Sequence, residues 1–270
     1  MSAPLRVTRY APFLRSWSSE APLRIAILSD FHACEPFMNA SRVAAICAQT
    51  NALQADLILL LGDYLAGPRF STPPRGQWAA PLKALAAPLG VHAILGNHDY
   101  TREARDGPTS IERGLNAAGI PVYVNRAVRL DHAGTGFWLA GLGSQYAYTP
   151  DGLHPKFKPG VGVDDLAATL AAVTTDEPIL LMAHEPDIFA DLPARVALTM
   201  SGHTHAGQIR LFGHAPVVPS RFGQRFLHGH IVEGDRHLIV SSGLGYSGLP
   251  IRFGAPPEIV LVELGRQATP

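Results

Sequence analysis

Five short, nearly continuous apolar runs constrain this chain more than any other feature: Ile25–Leu28, Leu57–Leu61, Val91–Leu95, Ile179–Met182 and Val196–Met200. Each is bounded by polar residues, the pattern of strands covered on both faces. Each is also followed by a polar cluster. In order these are Asp30-Phe31-His32, Gly62-Asp63, Gly96-Asn97-His98-Asp99, Ala183-His184 and Ser201-Gly202-His203-Thr204-His205. Imidazole, carboxylate and amide oxygen are the side-chain ligands that suit borderline-hard divalent metals. Because ligands bind at strand carboxyl ends in open α/β sheets, the five separated stretches are predicted to converge on one site.

Between the runs the pattern alternates. Asn39 or Ser41 is placed to cap a helix through about Leu53, Gln77–Ala87 reads as a second helix, and Ser110–Ala118 as a third that ends at Gly119. A short strand is expected at Val122–Val124. Ala127–Leu130 and Phe137–Leu142 resemble a hairpin around the turn Asp131–Gly136. A long loop follows over Gln145–Gly162, then a helix over Val163–Val173. The end is strand-rich, with Gln208–Phe212, His230–Glu233, His237–Ser241 and Glu258–Glu263. Early βα units followed by late antiparallel strands predict two packed sheets flanked by helices.

With 270 residues and nothing resembling a linker inside the motif set, one domain over 23–270 is expected, preceded by an arm over 1–22. Apolar residues make up 47% of the chain, enough for a sizeable core. Lys+Arg 22 against Asp+Glu 22 gives no net charge and hence no global case for nucleic acid. Cys34 and Cys47 are too few for a disulfide framework and read as thiols, with Cys34 not counted as a ligand. No apolar stretch approaches the ~20 residues that cross a bilayer, and the start lacks the apolar core of a signal peptide. The expected location is the cytoplasm. Tyr10, Phe13, Leu14 and Trp17, with Arg6, Arg9 and Arg15, are a combination that can touch a membrane surface. Packing of these aromatic residues on the edge of the domain is the stronger expectation.

A lone Asp-x-His or Gly-Asp marks nothing, but five clusters in order after five apolar runs, ending in His-x-His, form a specific set. Taken together they resemble the calcineurin-like metallophosphoesterases, over roughly Leu23 to Leu264. The tail from Gly243-Leu244-Gly245 through Leu249-Pro250-Ile251-Arg252 to Pro257-Glu258 resembles a bacterial branch with membrane-associated phosphodiesterases. The resemblance implies an α/β fold, a four-layer α/β/β/α sandwich. It puts Asp30, His32 and His205 on one divalent metal, Asn97, His184 and His203 on the other, and Asp63 between them. Two such ions, with Mn, Fe or Zn the leading candidates, let a shared water ionise near neutral pH and attack phosphorus in line. His98 is then the general acid toward the leaving group. Asp99 is expected to orient His98 or its loop rather than to touch metal. Ala206 departs from the Gly common in the branch.

Arg221, Arg225 and Arg252 are candidates to grip phosphate, since a guanidinium fork matches its oxygens. Tyr146, Tyr148 and Tyr246 are expected to offer flat contact to one ester arm, in a groove between the 145–162 loop and Gly243–Phe253. The other histidines, His92, His132, His154, His214, His228, His230 and His237, carry no expected role. The expected substrate is a small-molecule or lipid-linked phosphodiester. The alternatives are a phosphomonoesterase or nuclease of the same fold, and a non-catalytic metal-binding scaffold.

Overall fold

The structure, a computed structural model, describes residues 4–19, 21–66, 78–100, 108–148 and 161–265. Its strands are β1 Arg6–Tyr10, β2 Leu23–Leu28, β3 Leu57–Leu60, β4 Val91–Ala93, β5 Arg126–His132, β6 Thr135–Gly141, β7 Ile179–Met182, β8 Val196–Ser201, β9 Gly229–Glu233, β10 Arg236–Val240 and β11 Glu258–Leu264. Among the described residues three α-helices accompany them: α1 Ala40–Ala52, α2 Ser110–Ala117 and α3 Leu166–Ala171. The strands form two mixed sheets, ordered β1-β11-β2-β3-β4 and β5-β6-β7-β8-β10-β9.

The apolar runs explain the layering. Side chains alternate across a strand, so β2 sends Ile25 and Ile27 one way and Ala26 and Leu28 the other. Ile25, Ile27, Leu57 and Leu59 meet Phe137, Leu139, Leu180, Met182, Leu198 and Met200 of the second sheet, and this is the inter-sheet core. Ala26, Leu28, Ile58 and Leu60 face Val43, Ile46 and Cys47 of α1 and Ile111 and Leu115 of α2. On the far side Leu181, Leu238 and Val240 pack with Ile188, Phe189 and Phe226, with α3 supplying Leu166 and Leu170. The expected α/β/β/α sandwich is present.

Caps fall where short polar side chains reach the first free N–H groups. Asn39 accepts from Arg42 N, Thr109 from Glu112 N and Asp165 from Ala168 N. Several boundaries differ from expectation. The second helix is only a 3-10 turn, Ala80–Ala84, after which Leu85 is extended, and Gln77 lies outside the described residues. Val122–Val124 is reduced to a single bridge from Ala93 to Val122. The expected strand Gln208–Phe212 holds only isolated bridges, Ile209 to Phe253 and Leu211 to His214, because Gln208 and Phe212 have left-handed backbones (φ 55 and 51) that break an extended run. The hairpin turn is the two residues Ala133 and Gly134, both at positive φ, which matches the twist of its strands.

Arg6–Tyr10 is itself a strand, paired parallel with β11. Leu14 and Trp17 are buried in the inter-sheet core, where Trp17 meets Phe137, and Phe13 stays exposed. Cys34 and Cys47 are both free and buried. Among the described residues no helix is long and apolar enough to cross a membrane.

Candidate metal centre

The five clusters meet because β2, β3 and β4 run parallel in one sheet, β7 and β8 run parallel in the other, and all five end at the same rim. Backbone bonds stitch the loops together. Asp30 N donates to Gly62 O at 3.0 Å, His32 N to Asp63 O at 3.0 Å, and Gly202 N to His184 O at 3.0 Å. His203 N points at the Asp30 carboxylate, 3.1 Å from Oδ2. Asp30, His32, Asp63, His203 and His205 all have φ between 43 and 67. Left-handed backbone is costly for residues with a Cβ and gathers at functional sites; here the cross-loop bonds hold it. Gly96 is required by close approach, since a Cβ there would sit 2.3 Å from Asp63 Oδ1 and 2.7 Å from His184 Nε2.

Two groups of potential ligand atoms result. Asp30, His32 and His205 form one, Asp63, His184 and His203 the other, and within each the atoms lie within 4.8 Å of one another, all buried. One oxygen links the groups: Asp63 Oδ2 is 3.4 Å from His32 Nε2 and 3.3 Å from His184 Nε2. His205 Nε2 is 3.1 Å from His32 Nε2 and 3.3 Å from Asp30 Oδ1. Asn97 Oδ1 lies 3.0 Å from His203 Nδ1, so the amide oxygen faces the second group.

The donors fit a pair of divalent cations. Four imidazoles, two carboxylates and an amide oxygen are a borderline ligand set. The Nε2 atoms of His184 and His203 are buried without a hydrogen-bond partner, which a cation would repair. His184 Nδ1 lies 2.6 Å from the Leu61 carbonyl, which accepts its proton and aims Nε2 at the Asp63 group. Burial drives His32 and His203 down to about 3 and His205 well below the usual histidine range, so all three are neutral, the metal-binding form. For His184 burial acts in the same sense, but the Asp63 carboxylate outweighs it and raises the pKa well above the ordinary value. Asp63 in turn is held well below the carboxylate range, against burial, by the imidazoles of His184 and His98.

The half-buried His98 lies beside the first group, its ring edge-on to His32 at 5.0 Å, and its backbone N–H donates to Asp63 Oδ1 at 2.9 Å. Asp99 turns away from that imidazole. Its carboxylate accepts three backbone N–H groups, from Asp63 at 2.7 Å, Gly96 at 2.8 Å and Tyr64 at 2.9 Å. It therefore ties the Asp63 loop to the Asn97 loop, so that of the two expected roles Asp99 orients the loop rather than the His98 ring. Burial pushes Asp99 up to about 7, with the N–H donors pulling the other way.

The phosphate-gripping residues need correction. The Arg225 fork is engaged by Glu233 at 2.8 and 2.9 Å. Arg252 donates to the carbonyls of Gly245 and Ala255 and lies 3.1 Å from His205 Nδ1, so it braces a ligand. Arg221 has Nε 3.5 Å from the buried Asp187 and its guanidinium over the Phe222 ring, on a side chain that stays exposed. Tyr146 and Tyr246 are buried rather than flat open surfaces. Tyr146 packs on His203 at 5.7 Å with its hydroxyl on Asp187, and Tyr246 lies between Phe37 and Arg252. Tyr148 meets Tyr100, while His154 and most of the 145–162 loop lie outside the described residues.

Sequence reasoning missed three supports. Ser29 donates to Asp30 Oδ2 at 2.5 Å; Glu185 accepts from Ser144 Oγ and Gln145 N; Asp187 accepts from Tyr146, Ser220 and Arg221. The run His184-Glu185-Pro186-Asp187 held the signal, carboxylates set directly behind a ligand at a strand end. A further surprise is that Gly243–Gly245 packs backbone to backbone on the first ligand, with Gly245 N donating to Asp30 O at 2.7 Å. A Cβ at Gly245 would meet Phe31 O at 2.0 Å.

The family model for the calcineurin-like phosphoesterases matches residues 23–207, from β2 through the last histidine pair. The chain belongs to that family. Among its relatives are a metallophosphoesterase of Bacillus subtilis, 32% identical over 89% of this chain and 78% of the relative, and a putative metallophosphoesterase of Caenorhabditis elegans, 31% identical over 94% and 50%. A transmembrane protein with a metallophosphoesterase domain from Danio rerio is 30% identical over 90% and 53%. The chain thus spans about half the length of the worm and fish relatives. Among solved structures, a dimetal phosphatase from Danio rerio aligns with a TM-score of 0.45 at 14% identity, covering 82% of this chain and 87% of that one. This member of the family carries two groups of buried side chains suited to a dinuclear divalent metal centre.

Proposed function

We propose that this metallophosphoesterase hydrolyses phosphodiesters, with Asp30, His32 and His205 holding one metal, Asn97, His184 and His203 the other, and Asp63 shared between them. The observation that carries the reading is the position of Asp63 Oδ2, within 3.4 Å of an imidazole from each group. Two divalent ions so held, Mn, Fe or Zn by ligand type, would supply acidification of water near neutral pH and neutralisation of phosphate charge. The protein supplies the rest. His98, half-buried at the edge of the first group, is placed to give a proton to the departing oxygen. Asp99 keeps the Asp63 and Asn97 loops in register, and Ser29, Arg252 and Tyr146 fix the orientation of Asp30, His205 and His203.

Support for a diester comes from the space beside His205. A groove of about 410 Å³ runs from Thr204 and His205 past Ile209, Pro216 and Val217 to Ser247 and Leu249. It gives a second ester arm somewhere to lie, and contact there raises turnover when it is stronger in the transition state. The groove expected between the 145–162 loop and Gly243–Phe253 involves a loop that lies mostly outside the described residues. Arg221 is the remaining arginine with free donors for phosphate. The two buried free thiols agree with a cytoplasmic setting.

The test is the ratio of kcat/KM for bis(4-nitrophenyl) phosphate to that for 4-nitrophenyl phosphate, measured on Mn²⁺-loaded protein. A ratio above one is expected. A clear preference for the monoester makes the protein a phosphatase, and no hydrolysis of either by protein holding two metals per chain makes it a scaffold.

A further inference from the structure

Of the ten exposed large hydrophobic residues among the described ones, six belong to the two segments that supply the groove at His205: Val217 and Leu249 line it, and Leu211, Phe212, Ile251 and Phe253 flank them in the chain. Hydrogen bonds join their segments into one surface. Arg210 N donates to Phe253 O at 2.7 Å, Phe253 N to Gln208 O at 3.0 Å, and the Gln208 side chain to Leu249 O at 2.8 Å. The surface is continuous with the metal centre, because His205 and Thr204 line the inner end of the groove.

Phe212 is the most telling member. Leu211 and His214 exchange two backbone hydrogen bonds of 2.9 Å, closing a tight turn whose tip is Phe212-Gly213. Phe212 has φ 51, a position that favours Gly or Asn, and its ring is fully exposed. A bulky aromatic held in left-handed backbone with no packing in return is a strain without a structural reward. Contiguous apolar patches of this kind mark interaction sites.

Charge decides the partner. The stretches 192–232 and 236–257, which supply all six exposed hydrophobic residues, contain no Asp or Glu. Arg210, at the base of the Phe212 turn, has Nη2 on the Gly213 carbonyl and no carboxylate partner among the described residues. Apolar tips beside an arginine, carried by segments without a carboxylate, complement an anionic lipid surface.

We propose that this surface is the face on which the protein sits on an anionic bilayer, with Phe212 and Ile251 entering the boundary between headgroups and acyl chains. The mouth of the groove then opens at the lipid surface, and the aromatic residues of the N-terminal arm are not the contact. The proposal concerns binding alone and stands apart from the diesterase reading.

The test is sedimentation of the full chain with phosphatidylglycerol/phosphatidylethanolamine vesicles and with neutral phosphatidylcholine vesicles. Binding to the anionic vesicles, weakened by salt, is expected. Phe212→Ser with Ile251→Ser should weaken it about a hundredfold, at about tenfold per withdrawn side chain. Arg210→Gln should weaken it about fivefold, and only on the anionic vesicles. Turnover of bis(4-nitrophenyl) phosphate in solution should be unchanged in the double variant, which shows that it is folded. Absence of vesicle binding by the wild type, or equal binding by the double variant, overturns the proposal. So does a wild-type dimer in light scattering that the double variant turns into monomer while neither binds vesicles, since the face is then a contact between copies.

Discussion

Replacing Asp99 with Asn separates two roles that look alike in a kinetic assay. In the structure Oδ2 accepts from Asp63 N and Gly96 N, and Oδ1 from Tyr64 N, with the side chain fully buried. An asparagine can keep its oxygen toward Asp63 and Gly96, but its NH₂ then faces the Tyr64 N–H, donor against donor. Flipping the amide strands two donors instead of one. Losing one hydrogen bond to a charged acceptor costs about 1.5–3 kcal/mol and stranding a buried donor about 1–3 kcal/mol; since the two overlap, about 3–4 kcal/mol is expected. Urea unfolding of metal-free Asp99→Asn should therefore show a loss of that size, together with weakened binding of metal at Asp63. If Asp99 instead only orients the His98 imidazole, turnover falls while stability and metal content stay at wild-type levels. A loss below about 1 kcal/mol with two metals retained refutes the backbone-tie account.

His98→Asn should retain both metals and lower turnover of an alkyl diester by about 10²–10⁴-fold, with a smaller loss for a nitrophenyl leaving group; equal losses measured for both substrates reassign His98 to positioning. Glu258, which accepts from Thr8 Oγ1, from Ser242 N at 2.8 Å and from His228 at 2.9 Å, is held below the usual carboxylate range by these partners, against burial. A depressed carboxylate stabilises the fold above its unfolded pKa of about 4.3 and loses that contribution as pH falls through the lower, folded value. The advantage of wild type over Glu258→Gln in thermal unfolding should thus be full above about pH 5 and shrink below about pH 4; an advantage unchanged by pH contradicts it.

The strands and the convergence of the candidate ligands were legible because each rests on local pattern. A run such as Leu57–Leu60 needs cover on both faces whatever surrounds it, and Asp63 at its end has nowhere to go but the rim. The Gln208–Phe212 segment misled because its alternation is real while its backbone obeys the turns at Gln208 and Phe212. The arginines were illegible for another reason. Which acceptor a long flexible cation meets depends on neighbours far away in sequence, as with Arg252 and His205, 47 residues apart. The Gly243–Gly245 segment shows the same limit: its contact with Asp30 joins positions more than two hundred residues apart.

The central claim is that Asp63 is shared by two metals. Crystals of the protein grown with Mn²⁺ and measured at the manganese absorption edge should show two anomalous peaks flanking Asp63 Oδ2. One should lie among Asp30, His32 and His205, and the other among Asn97, His184 and His203, with both weakened in Asp63→Asn. A single peak, or none within reach of Asp63, contradicts the account.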